Sequence, residues 1–243
     1  MERREYERLA AVEERGWWFH GLHANLIRAW QDRGSPARDA VLLDAGCGTG
    51  GLLTRLAQAA PLARRYGLEF DAGAAGTARA KSGAAIVVGS VLAPPLAPQS
   101  CGAIFSADVL CHRGVEPAGA LAALAPCLTP RGLLLLNLPA YRWLFSGHDL
   151  AVDNVRRFGA GEIRALLRVA GFIEIRIAYW NSLLFPLMAA QRLFHRGANS
   201  DVALLPPLIE WLFGAILRCE LALAARGLRL PFGGSILATA VRP

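Results

Sequence analysis

Val41-Leu42-Leu43-Asp44-Ala45-Gly46-Cys47-Gly48-Thr49-Gly50-Gly51 decides the fold. Ala40 to Leu43 make a continuous apolar run of buried-strand length, and Leu52, Leu53, Leu56 and Ala57 then recur at helical spacing. A strand that breaks into glycines and restarts as a helix is a nucleotide-binding turn. The glycines let backbone approach a ligand closely, and the helix start offers N–H groups without partners. Gly46, Gly48 and Gly51 keep the G-x-G-x-x-G spacing, which alone does not separate one nucleotide cofactor from another.

Outward from that turn, strand and helix patterns alternate. Residues 65–70, 85–88, 103–107 and 133–138 read as strands, with a small-residue helix through Lys81 and another helix over 117–128. Continuous apolar strands alternating with helices argue for a parallel sheet covered on both faces. Ile163, Leu166, Leu167 and Ala170 share a helical stripe that Gly171 is placed to end, and Ile173, Ile175 and Ile177 alternate as another strand. Residues 235–241 form the closing strand. Upstream, residues 1–33 read as two helical segments broken at Gly16, the second carrying Leu22, Leu26, Ile27 and Trp30 on one face, before a turn at Gly34-Ser35-Pro36. The expectation is a single α/β domain. It has a helical cap (1–34), a Rossmann-like core (35–180), an apolar helical insertion (181–231) and a final strand (232–243).

Of 243 residues, 54% are hydrophobic and 19% charged, which suits one large folded domain and excludes disorder as the main state. Net charge is +7, but the arginines cluster only in pairs such as Arg64-Arg65 and Arg156-Arg157, and Lys81 is the only lysine. That is no nucleic-acid footprint. Five cysteines without C-x-x-C spacing suggest neither a disulfide framework nor a metal site, and a reducing cytoplasm fits them. Residues 1–15 are dense in Glu and Arg and carry no signal-peptide core. The uncharged stretch 82–107 contains Pro94, Pro95 and Pro98 and reads as two strands and a loop, not a membrane span.

Asp44 narrows the cofactor. A carboxylate two residues before the first glycine repels a dinucleotide pyrophosphate, whereas it can pair with the cationic amino group of S-adenosylmethionine; its alternative role is a helix cap. V-L-L-D-A-G-C-G-T-G resembles motif I of the class I S-adenosylmethionine-dependent methyltransferases. Trp17-Trp18-Phe19-His20, the segment Pro139 to Asp149 and Arg156-Arg157-Phe158 resemble a bacterial subgroup with an H-W-W-F-type start. The resemblance implies a seven-stranded sheet ending in an antiparallel hairpin, here at Ile173 and Ile236. It implies that Asp44, Gly46, Cys47, Gly48 and Gly50 line the methionine end of the cofactor and that Glu69 holds the ribose hydroxyls. Phe70, Ser90, Val91 and Ala107 complete that site. Three positions depart from the family. Ser90 replaces an acid, Gly102 replaces an aspartate, and Asp108-Val109-Leu110-Cys111-His112 stands where D-V-L-E-H is usual.

A sulfonium methyl is already activated, so transfer needs an aligned acceptor and exclusion of water more than a dedicated catalyst. Where a base helps, His112 and His148 lie after strands four and five, at the sheet edge where ligands bind. Their alternative is structural hydrogen bonding. Cys111 reads as a small buried side chain. Trp17, Trp18, Phe19, Tyr141, Trp143 and Phe145 are expected as an aromatic wall, and Asp149 and Arg157 as acceptor contacts. Core packing is the competing role for the aromatics, and a solvated pair for Arg156-Arg157. The insertion reads as two or three helices interrupted at Pro186, Gly197 and Pro206-Pro207, in which Leu183, Leu187, Ala190 and Phe194 share a face, as do Ile209, Leu212, Phe213 and Ile216. Such helices need cover, and a lid on the acceptor pocket, a homodimer through 181–231 and peripheral membrane contact are the options. The functional expectation is methyl transfer to a small, fairly hydrophobic acceptor, oxygen favoured. Its alternatives are a lipid-linked or saccharide acceptor at a membrane surface, a non-catalytic cofactor-binding protein and, last, a dehydrogenase.

Overall fold

Strands made mostly of Leu, Ile, Ala and Val can be buried on both faces, and β1 (Val41–Ala45), β4 (Cys101–Ala107) and β5 (Leu128–Pro139), with Asp44 and Arg131 as their only charged residues, lie at the centre of the sheet. The structure, a computed structural model, describes residues 12–34, 40–194 and 204–243. On one side of the centre lie β2 (Arg64–Glu69) and β3 (Ala85–Val88), and on the other β7 (Ser235–Val241) and β6 (Ile173–Trp180). The order is β3-β2-β1-β4-β5-β7-β6. Neighbours among β1 to β5 pair in parallel, while β7 runs antiparallel to both β5 and β6. The sheet is therefore mixed and Rossmann-like, and the hairpin expected at Ile173 and Ile236 is β6 with β7.

Among the described residues the named α-helices are α1 (Trp17–Asp32), α2 (Gly51–Ala59), α3 (Ala72–Ser82), α4 (Pro117–Leu124), α5 (Gly147–Ala151), α6 (Ala160–Val169), α7 (Phe185–Phe194) and α8 (Pro207–Ala225). Leu22, Leu26 and Trp30 of α1 bury Leu42, Phe105 and Leu135 on one sheet face. Leu121 and Leu124 of α4 and Ile163 and Leu167 of α6 bury Ile104, Leu134 and Ala238 on the other. The helix at the start of the chain thus covers a face of the sheet.

Three readings need correcting. The helix expected over 117–128 stops at Leu124, because Pro126 has no N–H to continue it. A 3-10 turn (Ala125–Cys127) follows, and Leu128 already belongs to β5. Pro186 does not interrupt a helix but sits in the first turn of α7, where the missing N–H has no intrahelical partner anyway, whereas Pro206 and Pro207 stand at the start of a separate helix, α8. On α8 the buried stripe is Gly214, Leu217 and Glu220, whereas Ile209 and Leu212 of the expected face are exposed, as are Leu183 and Leu187. An all-round apolar helix has no pattern to select its inner face, so specific contacts select it. The helical segment over residues 1–11, the turn at Ser35-Pro36 and the break at Gly197 lie outside the described residues.

Gly21 and Leu217 make the deciding contact. A Cβ on Gly21 would lie 1.9 Å from Leu217 Cδ2 and 2.8 Å from its Cγ, with Leu217 itself buried. Gly21→Ala ought to raise helix propensity by about 1 kcal/mol. Overpacking costs about 1–3 kcal/mol, so the expected outcome in a thermal melt is a lower Tm. A higher Tm would mean that α8 is free to move away from α1.

Candidate active site

The turn after β1 is built from backbone that side chains disfavour. Gly46, Gly48 and Gly50 hold φ of 85°, 53° and 87°. A Cβ on Gly46 would meet Val109 Cγ2 at 2.2 Å, so the residue after Asp108 presses directly on the turn. The Gly46 and Cys47 N–H groups donate to Leu68 O at 2.7 and 3.1 Å, which ties the turn to β2. At the end of β2, Glu69 accepts from Gly48 N through Oε2 at 2.9 Å and from Asp71 N through Oε1 at 3.0 Å. A carboxylate has about four acceptor sites, so a carboxylate at this position can accept from hydroxyls as well as from backbone.

Three carboxylates converge on this turn. Asp44 is 2% exposed and makes no hydrogen bond or ion pair among the described residues. Burial above all, then the charges of Glu13 and Glu69, push its pKa well above the usual 3.8. Glu13 arrives from the residues preceding α1. It accepts from Thr49 Oγ1 at 2.5 Å and Lys81 Nζ at 2.8 Å, and a Cβ on Gly51 would come within 2.2 Å of its Cδ. Among the described residues, Lys81 is the cation that pairs with Glu13.

Asp108, at the end of β4, holds a left-handed φ of 54°, uncommon outside glycine. Both its carboxylate oxygens accept from Asn137 Nδ2, at 3.1 and 3.0 Å, while Asn137 Oδ1 accepts from Trp180 Nε1 at 2.8 Å. An indole only donates, so Trp180 fixes the Asn137 amide with its NH2 toward Asp108. Burial, opposed by this hydrogen bond, raises the Asp108 pKa to about 7. Cys111 Sγ donates to Asp108 O at 3.0 Å and Asn154 Oδ1 at 3.1 Å, and burial holds the thiol protonated.

After β5 the chain forms a strap containing α5, bridged back between Ala140 and Phe158. Asp149 is fully buried and accepts from Arg157 Nε at 2.9 and 3.0 Å and from Arg192 Nη1 at 3.1 Å, and its Oδ2 accepts from Ser146 N at 2.9 Å. Burial pushes this carboxyl up, but Arg157 and Arg192 outweigh it and hold the pKa below 3.8. His148 precedes Asp149, half-buried on α5, and His112 lies beside Asp153 with its pKa lowered by burial.

Among the residues singled out from sequence, Asp44, Gly46, Cys47, Gly48, Gly50 and Glu69 meet at the ends of β1 and β2, and Ala107 ends β4 beside them. Cys47 is buried and its thiol is pushed up by burial. Val91 is buried, and Ser90 Oγ accepts from Leu92 N at 3.1 Å; Phe70 is 79% exposed. Asp149 and Arg157 are brought together, and each neutralises the other. The aromatic residues separate into two groups. Trp18 stacks on Trp180 at 4.8 Å and Trp17 meets Phe213 edge-on at 5.4 Å, while Tyr141 stacks on Tyr179 at 5.3 Å beside Trp143 and Phe185. Trp17 and Trp18 therefore fasten α1 to β6 and α8. Sequence reasoning missed Glu13 and Asp108. Asp108 carried a readable signal, an acid where a strand reaches the ligand edge; Glu13 meets Thr49 only through the fold.

Removing one partner of a buried ion pair costs about 3–5 kcal/mol. The depressed Asp149 pKa contributes stability above pH 3.8 that fades as pH falls through its folded value. Asp149→Asn should therefore lower Tm sharply at neutral pH and progressively less in acid. An equal loss at all pH values would contradict the charge argument.

Residues 43–136 match the family described as methyltransferase domain. Compared with curated proteins, the sequence matches none. An S-adenosylmethionine-dependent methyltransferase from Thermotoga maritima superposes with a TM-score of 0.63 at 18% identity, over 99% of this chain and 95% of that one. Geranyl diphosphate C-methyltransferase from Streptomyces coelicolor, bound to Mg2+, geranyl diphosphate and S-adenosylhomocysteine, gives 0.61 at 15% identity, over 93% and 81%. Phosphoethanolamine N-methyltransferase 2 from Haemonchus contortus, bound to S-adenosylmethionine, gives 0.58 at 17%, over 90% of this chain and 52% of that longer one. Residues 43–136 thus match a methyltransferase domain, and the chain as a whole has the fold of S-adenosylmethionine-dependent methyltransferase structures.

Proposed function

We propose that the protein transfers the methyl group of S-adenosylmethionine to a small, fairly hydrophobic acceptor, with oxygen favoured as the acceptor atom. Asp44 carries this reading. It is a buried carboxylate without a partner, between two further acids, under a turn whose backbone a ligand can approach. Among the described residues, Asp44 has no cation beside it. S-Adenosylmethionine supplies a cationic amino group there, together with a methyl activated on sulfonium. Asp44, Gly46, Cys47, Gly48 and Gly50 would hold its methionine end and Glu69 its ribose, with Phe70, Ser90, Val91 and Ala107 toward the base.

In-line displacement asks the chain to align the acceptor and keep water out. In sheet order, Asp108 on β4 stands between the glycine turn after β1 and the aromatic group around Tyr141 after β5. An apolar acceptor body fits those rings, and Asp108 is poised to take a hydroxyl proton, since its pKa of about 7 matches physiological pH. His112, neutral at that pH, and His148 are the other bases within the edge, and Asp149 holds Arg157 in place below them.

Two experiments test the reading. Titration of S-adenosylhomocysteine should give binding that Asp44→Asn abolishes. The same variant should raise Tm without ligand, because a carboxyl whose folded pKa is raised above 3.8 loses stability as pH climbs through that window and Asn does not. Retained binding in Asp44→Asn would overturn the cofactor assignment. Against a panel of phenols and aliphatic alcohols, kcat/KM should rise with pH through about 7. Asp108→Asn should cost about 100-fold or more and flatten that rise; an unchanged profile would remove Asp108 from the chemistry.

A further inference from the structure

A second cavity, of about 240 Å3, lies between α1, the outer strands β6 and β7 and the end of α8. Its floor includes Ala178, Leu237 and Thr239, so it sits on the sheet face that α1 covers, three and four strands away from β1 in the sheet order. Four arginines reach it: Arg28, Arg33, Arg176 and Arg229. The acids beside them are already engaged. Asp32 pairs with Arg28 at 3.5 Å, and Glu220 accepts from Ser182 N at 2.8 Å and Leu183 N at 3.0 Å.

What remains is a surplus of donors. Arg176 and Arg229 make no hydrogen bond or ion pair among the described residues. Arg33 pairs with the Glu174 carboxylate through Nη1 at 3.6 Å and donates Nη2 to Glu174 O at 2.6 Å, which leaves its Nε buried without an acceptor. Burial first, and then the charge of Arg176, disfavour the Arg33 cation. Asn25 is 8% exposed, lines the cavity, and its Nδ2 has no acceptor. Buried donors left without acceptors each cost about 1–3 kcal/mol, which an acceptor-rich ligand relieves. Beside these donors the walls are apolar, with Leu221, Leu223, Leu228 and Leu230.

We propose that this cavity binds an anionic amphiphile, with a phosphate or carboxylate head among Arg33, Arg176 and Arg229 and an apolar chain along the leucines of α8 and the segment after it. The site is separate from the glycine turn and does not depend on the methyltransferase reading. Its volume lies below the usual range of about 300–1,000 Å3 for drug-sized ligands, which suits one head group and the beginning of a single chain.

Calorimetric titration of the full chain with dodecyl phosphate, kept below its micelle concentration, should show saturable one-to-one binding. Inorganic phosphate should bind at least about tenfold more weakly, lacking the chain. The exposed, unpartnered arginines allow a double variant, Arg176→Ala with Arg229→Ala, that should fold as wild type and weaken dodecyl phosphate about tenfold or more, the scale of losing charge-assisted hydrogen bonds. Asn25→Leu, close in size, should weaken it independently, and S-adenosylhomocysteine titration should be the same in both variants. Sedimentation with phosphatidylcholine vesicles, with and without phosphatidic acid, separates the sources. Phosphatidic-acid-dependent sedimentation lost in the double variant assigns a bilayer headgroup, and binding of dodecyl phosphate alone assigns a free amphiphile. Absence of both, binding that persists in the variants, or inorganic phosphate binding as tightly as dodecyl phosphate would overturn the proposal.

Discussion

Burying a carboxylate with no partner costs several kcal/mol, and Asp44 does this at the ligand edge of the central strand, with two more acids close by. The fold makes the arrangement sustainable. β1 is hydrogen-bonded on both sides, to β2 and β4, and the glycine turn is tied back to β2 through Leu68, so the chain cannot turn Asp44 outward without breaking the sheet. The neighbouring acids are treated differently. Glu13 has Lys81 and Thr49, Glu69 has two backbone N–H groups, and Asp44 is left without either kind of partner.

A second polar line crosses the sheet from the opposite direction. Trp18 on α1 stacks against Trp180 at the end of β6; Trp180 orients Asn137 on β5; Asn137 holds both oxygens of Asp108 on β4. Every member is buried or half-buried, so its geometry is set by packing and not by solvent. The aromatic residues near the start of the chain thus reach the ligand edge through a hydrogen-bonded relay, although they do not form its wall. Asn137 is indispensable to this line. It is the one side chain there that accepts from an indole and donates to a carboxylate at the same time.

The β-α alternation, the glycine turn and the last hairpin were legible because each is local. A strand period, a glycine that permits positive φ and a helical stripe are written within a few residues. What could not be read depends on distant partners. The helix after Pro117 was expected to run to Leu128 because its apolar spacing continues past Pro126 into the next strand. The buried side of α8 is chosen by Gly21 and Glu220, residues whose partners are remote in sequence. Asp149 and Arg157, both expected at the acceptor, are close together, but their charges are spent on each other. A motif identifies the residues that gather at an edge; it does not say which of them are already satisfied.

The insertion between β6 and β7 follows from the antiparallel turn of β7. Ser235 at the start of β7 pairs with Pro139 at the end of β5 and with Trp180 at the end of β6, so the chain leaves and re-enters the sheet at the ligand edge. Any segment placed there begins beside the site. Its first helix brings Phe185 against Tyr141 and Trp143 at that edge. Its second runs back along α1, held by Glu220 to the Ser182 and Leu183 N–H groups and by Leu217 to Gly21. One insertion thereby serves two surfaces. It completes the aromatic cluster of Tyr141, Trp143 and Phe185 at the carboxyl ends of the parallel strands, and it roofs the arginine-lined cavity over the outer strands, while the scaffold of β1 and its glycine turn stays unchanged.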